Sequence, residues 1–295
     1  MTNKDIIENT TNEEDKELKR YNLKNDVIFK AFFAKKGNED FLIDFLTGLL
    51  KVEIKGVKIE EDVDILKFAN DEKGGRIDLQ ATLENGTIVS IEMQVRNQYN
   101  IEKRSEFNAS GILRKETEKG TYYSNIKQVI MINILDYTFL DFDDYVSDTV
   151  TVLNKHRNYE LPSLVKHYFI ELPKFRKQKL DMNEKLNQWL AIIDDMDGGR
   201  IKMAEEKNEK VKSALDEMKY LTGDAEIRRI AELRDRWERD RNGELAYAKG
   251  EARKEGRKEG IKKAKLETAK KMLEEGIPLE KVIKITGLTK EEIIN

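Results

Sequence analysis

The stretch IDLQATLENGTIVSIEMQ, residues 77–94, predicts a β-hairpin. Two runs in which apolar and polar residues alternate flank Glu84, Asn85 and Gly86, and such alternation is typical of strands. A two-residue loop at Asn85 and Gly86 would mix apolar and polar side chains on both faces, because a slip of one residue turns every side chain over. A three-residue loop with Gly86 in the left-handed conformation collects the apolar side chains on one face. The sequence therefore predicts the three-residue loop.

The three-residue loop places Asp78 directly opposite Glu92 on the polar face. Directly opposed Cβ atoms lie about 4.5–5.5 Å apart, so two carboxylates there repel each other unless a cation joins them. Mg²⁺ binds one or two carboxylates and completes its shell with water and phosphate oxygens. Gln94 points to the same face, and its amide can orient a water or a phosphate oxygen, although it lacks the charge of a lysine. Spacing alone leaves two interpretations open: a metal site, or an exposed polar face on an edge hairpin.

The composition limits the sites that the chain can build. Cysteine is absent and His156 and His167 are the two histidines, which excludes disulfides and argues against structural zinc. The 54 Lys and Arg nearly balance 57 Asp and Glu, so overall charge neither indicates nor excludes a nucleic-acid partner. No run approaches the roughly 18 apolar residues of a membrane span, and the polar start lacks a signal-peptide core. We expect a soluble, cytoplasmic protein without membrane association.

Apolar periodicity predicts a mixed α/β domain that ends near residue 175. Helical spacing, strand alternation and one continuous apolar run, QVIMINIL, follow one another along the chain, and the continuous run is typical of a buried strand. The predicted helices cover 25–34, 40–50 and 100–119; the predicted strands lie within 54–95 and at 128–135, 149–153 and 167–172.

The region beyond residue 180 predicts helices with little apolar surface. An apolar stripe at helical spacing consists of Ile227, Ile230, Leu233 and Trp237. Four glycines then interrupt a charged stretch, at Gly243, Gly250, Gly256 and Gly260. Each costs about 1 kcal/mol in a helix interior relative to Ala, so we predict a frayed charged linker or a weak helix.

Two short helices are predicted around residues 276–278, and Thr289 and Glu292 have the spacing of a capping box. Together these patterns predict four segments. They are a mobile N-terminal segment at 1–20, a core at 21–180, a helical extension at 181–240, and a Gly-interrupted tail with a small terminal helical module at 241–295.

At residues 77–94 the chain resembles the PD-(D/E)XK nuclease superfamily, whose core hairpin presents an Asp and then a Glu-x-Lys triplet. It is more closely similar to the recombination-promoting nuclease and putative transposase family, in which Gln commonly stands in the Lys position. The resemblance implies a restriction-endonuclease-like α/β core, with a central mixed sheet flanked by helices, and an α-helical C-terminal extension. The segments that carry it are KNDVIFKAFF (24–33), GRIDL (75–79), IEMQ (91–94), the helix with Arg104, GTYYSNIKQVIMINILDY (120–137), FIELPKF (169–175) and ITGLTKEEI (285–293).

The resemblance implies a metal-dependent DNA endonuclease associated with recombination or transposition. Asp78 and Glu92 would hold Mg²⁺ or another divalent cation, and Gln94 would be the third catalytic residue. Asp26 and Lys30, four apart on one helix face, match the family's first block and would border the site; the alternative is an ion pair on the helix surface. The implied chemistry is hydrolysis of a phosphodiester in DNA by metal-activated water.

Two other functions remain compatible with the sequence. One is a catalytically inactive DNA-binding protein related to transposases, and the other is an oligomerising protein that forms homo-oligomers through its C-terminal helices. The terminal module resembles a helix-turn-helix, but its would-be recognition helix, Lys290 to Ile294, is short for reading a DNA groove.

Overall fold

The 77–94 stretch folds into the predicted hairpin in a computed structural model that describes residues 22–60, 79–117, 122–194 and 198–294. Strand β2 (Leu79–Leu83) pairs antiparallel with β3 (Ile88–Gln94), with Leu79 opposite Ile91. The Gly86 N–H donates to the Leu83 carbonyl at 2.8 Å, and Gly86 has φ +84°. The three-residue loop is thereby confirmed. The predicted partner of Glu92, Asp78, lies outside the described residues, as does the segment 1–20.

A mixed six-stranded sheet forms the centre of the fold, in the order β1-β2-β3-β4-β8-β5. The β3–β4 and β4–β8 pairs are parallel, and the other neighbouring strands are antiparallel. A separate two-stranded hairpin joins β6 to β7. The remaining strands are β1 (Val57–Ile59), β4 (Val129–Leu135), β5 (Val146–Asp148), β6 (Thr151–Leu153), β7 (His156–Leu161) and β8 (Val165–Glu171).

The predicted strands at 128–135 and 167–172 are confirmed as β4 and β8. The strand predicted at 149–153 is confirmed for residues 151–153 as β6, but this strand belongs to the separate hairpin and not to the main sheet. The Thr149 N–H still donates to the His167 carbonyl at 3.0 Å, after which the chain enters the separate hairpin. The main sheet therefore ends at β5, before residues 151–153 begin β6.

Ten helices are described, and the three predicted near the sheet are confirmed. Their bounds are α1 (Asp26–Phe33), α2 (Glu39–Leu50), α3 (Ile101–Glu116), α4 (Leu172–Lys177), α5 (Lys185–Ile193), α6 (Gly198–Lys207), α7 (Glu209–Gly223), α8 (Ala225–Glu274), α9 (Leu279–Thr286) and α10 (Lys290–Ile294). The predicted fold class, a restriction-endonuclease-like α/β core with a helical C-terminal extension, is confirmed. No helix among the described residues has both the length and the apolar character needed to cross a membrane.

Helices cover both faces of the sheet at β3. The larger apolar layer packs Val89 and Ile91 with the aromatic residues of α1 and with Trp189 of α5. On the other face, Ile88 packs beneath Ala109 of α3. All seven residues of β3 are consequently buried. The interpretation as an exposed polar face on an edge hairpin is wrong for this strand, because β3 lies between β2 and β4 under two helical layers.

The contacts divide the chain into two units, the first ending at Arg234 and the second covering Asp235–Asn295. The boundary falls within α8, which continues through the four glycines as a 50-residue helix. The prediction of a frayed linker is therefore wrong, and the helical alternative is correct. The glycines are surrounded by Ala, Glu, Lys and Arg, which are strong helix formers and offset the cost of each glycine.

The second unit has a small apolar core of its own, formed by the end of α8 with α9 and α10. Ala269, Val282, Leu288 and Ile293 are buried in it. The predicted capping box is confirmed at the start of α10. The Glu292 N–H donates to Thr289 Oγ1 at 3.2 Å, and the Thr289 N–H donates to Glu292 Oε2 at 3.0 Å.

A buried carboxylate ties three helices of the first unit together. Asp44 of α2 accepts hydrogen bonds from Lys185 Nζ at 2.6 Å, Trp189 Nε1 at 3.0 Å and Asn208 Nδ2 at 2.7 Å. Burial opposes ionisation of Asp44, but the bonds from Asn208, Lys185 and Trp189 outweigh it and hold the pKa of this carboxyl below its usual value. Asp44 is therefore a charged residue on which α2, α5 and the start of α7 converge.

We expect Asp44→Asn to lower the free energy of unfolding by about 1–3 kcal/mol at pH 7, because it removes the charge-assisted bonds. The pKa of Asp44 is lower in the folded than in the unfolded chain. Its contribution is therefore complete above about pH 4, the usual value for Asp, and is lost as the pH falls through the folded-state pKa. Urea titrations of both proteins at several pH values measure this. A difference that stays constant into strong acid would contradict the prediction.

We also expect a chain ending at residue 240 to unfold cooperatively. Ile227 and Ala231 of α8 pack with the core of the first unit, whereas the second unit buries its apolar residues in a separate cluster. Thermal unfolding followed by circular dichroism tests this, with the full chain as the control. Loss of a cooperative transition in the shortened chain would show that the first unit needs the tail. The boundary predicted at 240 stays a prediction until then.

Candidate active site

Strand β3 places Glu92 on the sheet face beneath α3. Side chains alternate along a strand, so Ser90, Glu92 and Gln94 face α3 together with Ile88. Glu92 is only 4 % exposed, and its neighbour in the parallel strand β4 is Asn133. A carboxylate at such a position is costly unless a positive charge or hydrogen bonds compensate it.

Arg104 from the first turns of α3 supplies that compensation. Its Nη2 forms an ion pair with Glu92 Oε1, and the side chains of Arg104 and Glu92 are 17 % and 5 % exposed. Arg104 Nη1 also donates to Gln98 Oε1 at 3.2 Å. Gln98 lies in the loop that leads from β3 into α3, so Arg104 connects the carboxylate to this loop.

Gln94 lies at the end of β3 beside Tyr137, which follows β4. The Tyr137 hydroxyl donates to Gln94 Oε1 at 3.4 Å. Burial raises the pKa of Tyr137 to about 12, although the charge of Arg104 lowers it in part. Tyr137 is therefore protonated at neutral pH and acts as a donor. Gln94 Nε2 and Ser90 Oγ are buried and have no hydrogen-bond partner among the described residues.

A second polar network fixes α3 over the neighbouring strands. Asn133 Nδ2 donates to Ser105 Oγ at 3.1 Å, and Ser105 Oγ lies 2.9 Å from His167 Nδ1. His167 Nε2 lies 2.8 Å from Glu106 Oε2. Because Ser105 follows Arg104 directly in α3, the network also fixes the helix turn that carries the guanidinium.

A family model described as "PD-(D/E)XK nuclease family transposase" matches residues 23–248. The chain belongs to this family. The C-terminal helix-turn-helix domain of the Rpn/YhgA-like nuclease family matches residues 262–295 of the same PD-(D/E)XK chain. The resemblance stated from the sequence is thereby confirmed, including that of the terminal module to a helix-turn-helix. No curated protein and no solved structure matches the chain significantly.

The predicted site residues of this PD-(D/E)XK chain differ in what the structure shows of them. Glu92 and Gln94 share one face of β3, as predicted, whereas Asp78 lies outside the described residues. Asp26 pairs with Arg234 Nη2 at 2.8 Å, and Lys30 is buried at 5 % exposure. Both lie on α1, which packs on the face opposite Glu92. Their role at the border of the site stays a prediction.

The donors on this face suit a hard divalent cation. Such cations prefer carboxylate, carbonyl and hydroxyl oxygens, and Glu92 and Ser90 offer a carboxylate and an unpartnered hydroxyl. Within the described residues, no group of three or more His, Cys, Asp or Glu is placed to hold a metal ion. Because Asp78 is not among them, Glu92 provides the acidic part of the described site.

Sequence reasoning did not assign roles to Arg104 and Tyr137. Tyr137 had a usable signal, because it follows a buried strand by two residues and the carboxyl ends of parallel strands meet at one edge of a sheet. The helix with Arg104 is among the segments that carry the family resemblance, but no local pattern indicated a role for Arg104 itself. Its position depends on how α3 returns across β3, which local periodicity does not determine.

Proposed function

We propose that the chain is a metal-dependent DNA endonuclease that acts in recombination or transposition. The observation that carries the proposal is the buried Glu92 at the carboxyl end of β3, ion-paired with Arg104, in a hairpin with the register of the three-residue loop. Continuing that register by one residue beyond Leu79 would set Asp78 opposite Glu92. Membership of the nuclease family supports the same assignment.

In this proposal Asp78 and Glu92 hold Mg²⁺ or another divalent cation. When bound, the cation supplies Lewis acidity and lowers the pKa of a coordinated water. The other polar residues have roles that follow from their contacts. Tyr137 donates to Gln94 Oε1, which leaves Gln94 Nε2 available to donate to a water or to a phosphate oxygen. Helix α3 covers the face and limits access of bulk water.

DNA is the proposed substrate and partner. The helix-turn-helix match at the C-terminus supports DNA binding by the second unit. The same match also favours the second candidate, a DNA-binding protein whose nuclease site is inactive. Homo-oligomerisation through the C-terminal helices stays a prediction. Cleavage assays on variants of the acidic residues separate the two candidate functions.

We expect Asp78→Asn to reduce Mg²⁺-dependent cleavage of plasmid DNA by roughly a hundredfold or more, because it removes a carboxylate ligand of the cation. Without metal, the variant should be at least as stable as the wild type, since the repulsion with Glu92 is relieved. Mg²⁺ should raise the Tm of the wild type and not that of the variant.

Asp216→Asn is a matched control, because the Asp216 side chain is 70 % exposed on α7; it should cleave like the wild type. Equal cleavage by the wild type and Asp78→Asn, with contaminating nuclease excluded, would favour the inactive DNA-binding protein.

We expect Gln94→Ala to be milder than Asp78→Asn, with cleavage reduced roughly tenfold, because Gln94 orients a group and does not neutralise charge. The Mg²⁺ affinity should change little. Single-turnover cleavage rates, together with calorimetric titration of Mg²⁺, measure the two effects separately. A loss as large as that of Asp78→Asn, with weakened Mg²⁺ binding, would make Gln94 a metal ligand instead.

A further inference from the structure

The proposed site lacks a positive charge on the strand that carries it. Phosphodiester hydrolysis builds up negative charge on the phosphate, which nearby cationic donors stabilise. The side chains of β3 that face α3, those of Ile88, Ser90, Glu92 and Gln94, carry no positive charge. Arg104 of α3 brings a guanidinium directly to this face through its ion pair with Glu92.

We propose that Arg104 is the cationic residue of the site and that it has two partners in turn. In the metal-free protein it neutralises Glu92. When a divalent cation engages Glu92, the guanidinium binds a non-bridging oxygen of the phosphodiester that is cleaved. This inference rests on the proposed function.

The charge of Arg104 is used differently in the two states of the proposed site. Without metal, the guanidinium compensates Glu92, one of the two proposed carboxylates. A divalent cation held by Asp78 and Glu92 would neutralise both carboxylates and leave Arg104 with one positive charge. A phosphodiester carries one negative charge. Arg104 therefore has the charge that the substrate requires only after the cation is bound.

The geometry of Arg104 fits a residue that changes partners. Its side chain is more exposed than that of Glu92, at 17 % against 5 %, so the guanidinium is the partner that substrate can reach more easily. Its planar fork of N–H donors matches phosphate oxygens as well as carboxylate oxygens. The bond from Nη1 to Gln98 Oε1 keeps the guanidinium at the site when Nη2 leaves Glu92.

A purely structural Arg104 and a cationic Arg104 make opposite predictions for metal binding. If Arg104 competes with the metal for Glu92, Arg104→Gln should bind Mg²⁺ more tightly, by roughly fivefold, and yet cleave DNA roughly a hundredfold more slowly. If Arg104 only holds Glu92 in place, the same substitution should weaken both. Calorimetric titration of the DNA-free protein with Mg²⁺ measures the first effect independently of cleavage.

A charge relocation tests whether the positive charge is what matters. Gln94→Lys in the Arg104→Gln background returns a cation to the same face of β3, and we expect cleavage at least tenfold above that of Arg104→Gln. Arg104→Lys keeps the charge and loses the fork, and should remain within about tenfold of the wild type. Arg114→Gln, an exposed arginine on the same helix, is the control and should cleave normally.

Thermal unfolding in EDTA shows which variants are folded. If Arg104→Gln does not fold, cleavage by Arg104→Lys tests the inference instead. Three results would overturn the inference: wild-type cleavage by folded Arg104→Gln, weaker Mg²⁺ binding by that variant, or a loss beyond a hundredfold in folded Arg104→Lys. Recovery of Tm without recovery of cleavage in the double variant would do so as well. If the wild type does not cleave DNA, the proposed function and this inference are both overturned. If Asp78→Asn abolishes cleavage but Arg104→Gln does not change it, only this inference is overturned.

Discussion

Burial of β3 on both faces is the constraint on which the rest of the molecule depends. Its odd-numbered residues complete the apolar layer against α1 and α5, and its even-numbered residues lie beneath α3. Because Ser90, Glu92 and Gln94 fall in the even-numbered set, the fold must accommodate three polar side chains in its interior. Buried polar groups are costly unless they are paired, so the position of α3 is determined by polar partners as well as by packing.

The two ends of helix α3 make different kinds of contact with the sheet. Its C-terminal part covers Ile88 and Val129 with Ala109 and Ile112, an ordinary apolar contact. Its N-terminal part places Arg104 on Glu92 and Ser105 on Asn133. The same helix thus contributes packing at one end of β3 and charge compensation at the other. Native proteins leave polar groups without partners mainly at functional sites, and Gln94 Nε2 and Ser90 Oγ lie at the polar end.

The sequence predicted the hairpin well because its information is local. The alternation of apolar residues and the left-handed preference of Gly86 determine the register, and the continuous apolar run identifies β4. The burial of β3 on both faces could not be predicted from the local pattern. Alternation usually indicates a strand with one solvated face, whereas here α3, formed by residues 101–116, covers the second face. The sequence left α8 between a linker and a helix for a related reason: each glycine carries a local penalty, and the strong helix formers between the glycines offset it. For Asp78 the register remains an extrapolation beyond Leu79.

Arg104, the proposed cationic residue, lies on helix α3 and not on the strand that carries Glu92 and Gln94. The backbone of β3 is paired with β4 along its whole length, including Glu92 and Gln94, and with β2 at residues 88–91, so Glu92 and Gln94 have little freedom to move. Arg104 reaches the site through a long side chain with several rotatable bonds, tethered at Gln98, and its charged end can shift by a few ångströms without any backbone change. A lysine at position 94 would be attached to that same fixed strand, two residues from Glu92. In the proposed mechanism, a guanidinium that can move compensates Glu92 before a cation binds and the phosphodiester afterwards, and it would supply the positive charge that a glutamine at position 94 does not carry.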